Sequence, residues 1–173
     1  MKRSDIKEIP EYFEHYVNLV DDVELADAFD KSLKQINDLD IAKLNRIGSR
    51  VYEDGKWSVN KIIQHLTDWE RIWCYRTILF ARREGNVPEG LDQETMAKNS
   101  NADELPIDQL VAELRAVRLS TKAMFDTFTQ QIFETNCNFY KYEMSVLAMG
   151  FTIIGHQLHH LSVIEERYFP LDK

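Results

Sequence analysis

Apolar residues recur every three or four positions along four long stretches of this sequence, and that period fits α-helices rather than strands. From Val20 to Leu39 they fall at Val20, Val23, Leu25, Ala26, Phe29, Leu33, Ile36 and Leu39, which predicts a first long helix. A short helix is expected before it, over Glu11 to Leu19, because Pro10 suits a helix start. Asp54-Gly55-Lys56 reads as a turn, and Ser58 as the N-cap of a second helix from about Val59 to Arg83. Pro106 opens a third, whose stripe passes through Ile107, Leu110, Val111, Leu114, Val117, Thr121, Phe125 and Phe128. Asn136 to Asn138 breaks the pattern, and a fourth helix spans about Glu143 to Tyr168, stopping before Pro170. Only 6 glycines and 4 prolines occur in 173 residues, so few positions force a turn. No strand-like alternation stands out. The expectation is an all-α four-helix bundle filling residues 1–173 as a single domain, with a long loop from Gly85 to Asn101 between helices two and three.

Charge narrows the partners. Asp and Glu number 29 against 21 Lys and Arg, for a formal net charge of -8. Nucleic-acid binding needs clustered Lys and Arg, so no nucleic-acid partner is expected. Cys74 and Cys137 are too few for a disulfide framework or a multi-cysteine zinc site, and read as partly buried thiols in a reducing compartment. The N-terminus, MKRSDIKEIPEYFEHY, lacks the apolar core of a secretory signal. The longest near-apolar run, Val146 to Gly155, falls short of the roughly 20 residues that span a bilayer. A cytoplasmic protein with no membrane partner is therefore expected.

The chemistry concentrates in the histidines His15, His65, His156, His159 and His160. His156 and His160 stand one turn apart on the fourth helix, about 40° around its axis. Such a pair can grip one metal ion. The zincin protease helix also needs a Glu directly after its first His, and Gln157 stands there instead. Met149, Ile153 and Val163 share the side of His156 and His160, so the pair faces the core if Ile153 does. His159 lies about 100° from His160. On the second helix His65 sits near the edge of the arc formed by Ile62, Leu66, Trp69, Ile72 and Trp73, and can point toward the fourth helix. Three neutral imidazoles with open positions match a catalytic metal site. The plainer reading is that each is a hydrogen-bonded core or boundary residue.

The run from Tyr52 to Val59, then Ile63-Gln-His65-Leu-Thr-Asp68-Trp-Glu70-Arg71, resembles the second-helix signature of the DinB/YfiT-like metalloenzyme superfamily. Tyr75-Arg76, Phe80-Ala-Arg82 and Pro88-Glu-Gly-Leu-Asp92 are similar to that family's helix end and connecting loop. Gly155-His156-Gln-Leu-His159-His160-Leu161, with Glu166-Arg167-Tyr168, resembles its last helix, and the likeness runs from about residue 12 to 170. It implies a four-helix bundle holding one divalent metal ion per chain through His65, His156 and His160. Zinc or nickel are the first candidates, then iron, manganese or cobalt. It implies that His159 is the extra, non-ligating histidine of an HxxHH pattern, and that the chain forms a homodimer. Relatives include enzymes that transfer low-molecular-weight thiols, hydrolases and isomerases, and the damage-inducible family label does not imply DNA binding. Leu91 departs from the Phe common in relatives, a change at the pocket mouth.

A dipositive ion on three neutral imidazoles lowers the pKa of a bound water or thiol. The expected function is transfer of a low-molecular-weight thiol to an electrophilic small-molecule substrate; the alternatives are a metal-dependent hydrolase and a non-catalytic metal- or small-molecule-binding module. Asp68 is the candidate catalytic base, or a carboxylate that orients an imidazole, against the reading of a solvated carboxylate. Arg76 and Trp69 are candidate substrate-binding residues, against a structural ion pair for the Arg and packing for the Trp. Trp57 is a further candidate for a pocket wall.

Overall fold

The computed structural model describes residues 1–84, 90–139 and 142–172. Its helices are α1 (Glu11–Asn18), α2 (Leu25–Asn37), α3 (Ile41–Ile47), α4 (Val59–Ala81), α5 (Gln93–Asn99), α6 (Ile107–Phe125), α7 (Gln130–Phe133) and α8 (Val146–Val163). A hairpin of β1 (Asn136–Phe139) and β2 (Tyr142–Ser145) precedes α8, with Asn136 opposite Ser145.

The long helices α2, α4, α6 and α8 form the bundle. Helix α2 packs on α6 and α8, and α4 packs on the same two, so the order around the bundle is α2, α6, α4, α8. Residue pairing sets the directions. Phe29 and Ser32 of α2 meet Phe125 and Arg118 of α6, an antiparallel pair. Glu70 and Cys74 of α4 meet Arg118 and Thr121, so α4 and α6 run parallel. His65 and Trp73 of α4 meet His160 and His156 of α8, which is antiparallel. Parallel neighbours cannot be joined by a tight turn. The chain must return along the bundle, and this explains the long segment between α4 and α6.

Several boundaries differ from the sequence expectation. The first long helix starts at Leu25 rather than Val20; Val20 is buried in the turn before it. Phe128 lies past the end of α6, yet still packs on Phe125 with ring centroids 5.4 Å apart. The last helix begins at Val146 because the Ser145 side chain caps the Ala148 amide, and Glu143 and Met144 belong to β2. The Gly85–Asn101 connection contains α5, opened by Asp92, whose side chain accepts from the Glu94 amide. Its part up to Glu89, including Pro88 of the family-like loop, lies outside the described residues. Ser58 caps α4 by accepting from the Lys61 amide. Cys74 is half-buried, and burial pushes its pKa up to about 11, so it is an unreactive thiol at neutral pH. The Cys137 side chain lies outside the described residues.

The core has two apolar halves with a polar level between them. One half gathers Leu25 and Phe29, Trp73 and Phe80, Phe125, and Val146 to Ile154. The other gathers Ile36, Val59 to Leu66, Ile107 to Leu114, Ile164 and Tyr168. Each bundle helix changes from one half to the other through buried polar groups: Ser32 on α2, His65 and Glu70 on α4, Arg118 on α6, His156 and Gln157 on α8. Arg118 grips both Glu70 oxygens at 2.9 and 2.8 Å, and donates to Ser32 Oγ at 2.6 Å. Gln157 Nε2 donates to the Ser32 carbonyl at 3.0 Å. A single hydrogen-bonded set thus joins all four helices at the level of the histidines. Among the described residues, no helix is long and apolar enough to cross a membrane.

Candidate metal centre

From Val146 to Gln157 every residue of α8 is buried. Helix α1 covers the side that the other bundle helices leave open. The approach is close. A Cβ at Gly155 would fall 1.9 Å from the Tyr16 carbonyl oxygen, so only glycine lets the two backbones meet. The Tyr16 ring then stands edge-on to His156, at 5.4 Å between centroids. Trp73 flanks the other side of His156 at 4.7 Å.

Across the bundle His65 is held between Trp57, at 4.8 Å, and Trp69, at 5.7 Å. Its Nε2 lies 3.0 Å from His156 Nε2, and His160 Nε2 lies 3.1 Å from the same atom. The ligand atoms of all three fall within 4.8 Å of one another, and no other described His, Cys, Asp or Glu group meets that geometry. His65 is 7% exposed and His156 3%. Burial drives each imidazole toward its neutral form. The pKa is pushed down to about 4 for His65 and about 3 for His160, and well below the ordinary value for His156, where His160 and His65 add to the effect.

This donor set fits a divalent metal ion. Each neutral imidazole carries one lone pair and one N–H, so a proton can join His156 Nε2 to one neighbour, whereas a cation satisfies three lone pairs at once. Nitrogens about 2.0–2.1 Å from one ion, at angles from 90° to tetrahedral, lie roughly 2.8–3.4 Å apart. The two separations to His156 Nε2, 3.0 and 3.1 Å, fall in that range.

Asp68 shares a small recess with His65, Gln64, Met96 and Ser100. Its carboxylate accepts from Gln64 Nε2 at 2.9 Å, and burial raises its pKa. Trp69 is half-buried, with its ring against His65 and Trp73. Arg76 is buried, and burial lowers its pKa. It lies eleven residues beyond His65, about 16 Å along the helix axis, so α4 carries it away from the histidines.

A cleft of about 320 Å³ opens beside His160. Tyr52, Trp57 and Tyr168 wall it, with Lys56, Glu94 and His159 also facing it. The indole Nε1 of Trp57 donates to Glu94 Oε2 at 3.2 Å, tying α5 to the turn before α4. Of these residues the sequence singled out only Trp57 as a wall. Tyr52, Lys56 and Tyr168 carried a signal only within the turn and the family-like motifs, and Glu94 carried none, since exposed charges are common anywhere.

Residues 12–164 match the sequence profile of the DinB superfamily. The chain belongs to the DinB superfamily. Solved structures agree on the fold. YfiT from Bacillus subtilis, titled a probable metal-dependent hydrolase with an unusual four-helix bundle topology, superposes with a TM-score of 0.68 at 18% identity, over 95% of this chain and 91% of that one. A mycothiol-dependent maleylpyruvate isomerase superposes with a TM-score of 0.61 at 11% identity, over 93% of this chain and 62% of that one. No curated protein sequence matches. In this DinB-superfamily chain, α8 continues into a wider π-helical turn over Ile164–Tyr168. The Tyr168 hydroxyl donates from there to the Trp57 carbonyl, holding the cleft wall beside His65.

Proposed function

We propose that His65, His156 and His160 hold one divalent metal ion, and that the chain is a metal-dependent enzyme for a small molecule bound in the cleft beside His160. The observation that carries this reading is the meeting of three neutral imidazole nitrogens, two on buried rings and one on the half-buried ring of His160. An ion held there supplies Lewis acidity that makes a thiol or water nucleophilic near neutral pH.

The chain's own groups supply the rest. Tyr16, Trp57, Trp69 and Trp73 fix the rings and keep bulk water from them. Asp68, which shares the recess on the His65 side of the site, is the proton acceptor. Lys56 is better placed than Arg76 to meet an anionic substrate group, because it faces the cleft. The favoured reaction is transfer of a low-molecular-weight thiol to an electrophilic carbon, supported by the mycothiol-dependent neighbour. Hydrolysis of an amide or ester is the second reading, favoured by the description of YfiT, the more similar of the two.

Elemental analysis of the purified chain is expected to find close to one zinc, nickel or similar ion per chain. His65→Ala or His160→Ala lowers metal affinity by more than the ~10–100-fold that losing a supporting contact costs, whereas His159→Ala stays within that range. Equal losses at all three positions would overturn the ligand assignment. Thiol consumption against a panel of electrophiles, beside ester and amide cleavage without thiol, separates the two reactions. Metal uptake with neither activity identifies a non-catalytic binding module.

A further inference from the structure

A second imidazole pair lies across the α1–α8 contact. His15 Nε2 stands 3.2 Å from His159 Nδ1, with the rings 5.2 Å apart and nearly perpendicular at 81°. This is the spacing found within the triad, at 3.0 and 3.1 Å. The pair is not a chance meeting of two loose surface side chains. The Tyr16 carbonyl is seated directly on Gly155, which fixes the α1 backbone against α8 one residue from His15 and four from His159. The Tyr16 ring also stands edge-on to both imidazoles, at 5.5 Å from His15 and 5.6 Å from His159. His15 is exposed and His159 half-buried, so ions reach the pair from solvent.

We propose that His15 and His159 form a second, solvent-facing site for a divalent transition-metal ion of the class that prefers imidazole, such as zinc, nickel or copper. Two nitrogens from neighbouring rigid helices supply the protein ligands, and water fills the remaining positions. The site is weaker than the triad because it offers two nitrogens instead of three. His159 also faces the cleft, so a cation held there adds positive charge to the wall that carries Lys56. The inference rests on the triad reading only for the number of ions expected in total.

Zinc titrated calorimetrically into the full chain, stripped by a chelator, is the test. The expected result is two equivalents, the second weaker. In His15→Ala and His15→Gln the second equivalent is lost and the first is retained. The Gln variant keeps a hydrogen-bonding group facing His159, so loss in both variants assigns the effect to the imidazole nitrogen rather than to disturbed packing. A wild-type chain that takes up one equivalent, or a second equivalent that survives both substitutions, overturns the proposal. His160→Ala separates this result from the triad reading. Loss of the tighter equivalent with survival of the weaker supports two independent sites. A weaker equivalent lost together with the tighter one overturns the second site as an independent one.

Discussion

An imidazole in water is half protonated near pH 6.5, and a protonated ring cannot bind a metal ion. Burial, full for His65 and partial for His160, penalises the charged form and pushes their pKa values down to about 4 and about 3. Above pH 6.5 the rings are neutral in both the folded and the unfolded chain. Between 6.5 and about 4 the unfolded rings take up protons and the folded ones do not, so this contribution to stability is lost as the pH falls through that window. The urea midpoint of the metal-free chain is expected to drop from pH 6.5 to 4.5, and to drop less in His65→Gln. An equal drop in the variant would show that His65 is not held neutral by burial. At this scale the sequence was informative about His156 and His160, whose one-turn spacing places them together on any helix. How far burial holds these rings neutral was not legible, since it depends on Trp57 and Trp69 closing on His65 and Trp73 on His156.

Two contacts between elements carry more weight than their size suggests. The first is Gly155 against Tyr16. Gly155→Ala puts a methyl group where the α1 backbone stands, and overpacking of this kind costs about 1–3 kcal/mol or more. Chemical denaturation is expected to show that loss, with α1 displaced and His15 separated from His159. The second is the buried ion pair of Arg118 and Glu70, with side chains 1% and 3% exposed. Arg118→Met alone leaves a buried carboxylate without its partner and costs about 3–5 kcal/mol. Adding Glu70→Leu to Arg118→Met is expected to recover most of that loss in a urea double-mutant cycle. Additive losses would show that the pair is not coupled. Neither contact was legible in the sequence. A single glycine inside a helix is ambiguous until its neighbour is known, and residues 70 and 118 meet only because α4 and α6 run parallel.

For the whole molecule, the polar level between two apolar halves is where the helices are held in register and where the proposed ion binds. An ion that binds only the folded chain stabilises it by about 2.7 kcal/mol at a hundredfold excess over its Kd. For a chain of this size that corresponds to a rise in Tm of roughly 5–10 °C. Zinc or nickel is expected to give that rise in the wild type and little of it in His65→Ala. A rise of the same size in both would place the stabilising ion elsewhere. The homodimer implied by the family resemblance is checked by sedimentation.

The helical period by itself determined that the chain is a helical bundle, roughly where α2, α4, α6 and α8 lie, and that His156 and His160 share a face. These are local properties, set by which side chains recur at 3.6-residue spacing. The short pieces were less visible: α3, α5 and the four-residue strands of the hairpin bury too little on one side to leave a clear period. The tertiary structure alone decided the order and direction of the helices and the parallel pairing of α4 with α6; it also brings His65 to the α8 histidines across 91 residues, a meeting that the family resemblance implied and the helical period did not. It also decided which charged residues face the cleft and which are buried in pairs. Those outcomes depend on distances between segments far apart in the chain, and no local pattern encodes such distances.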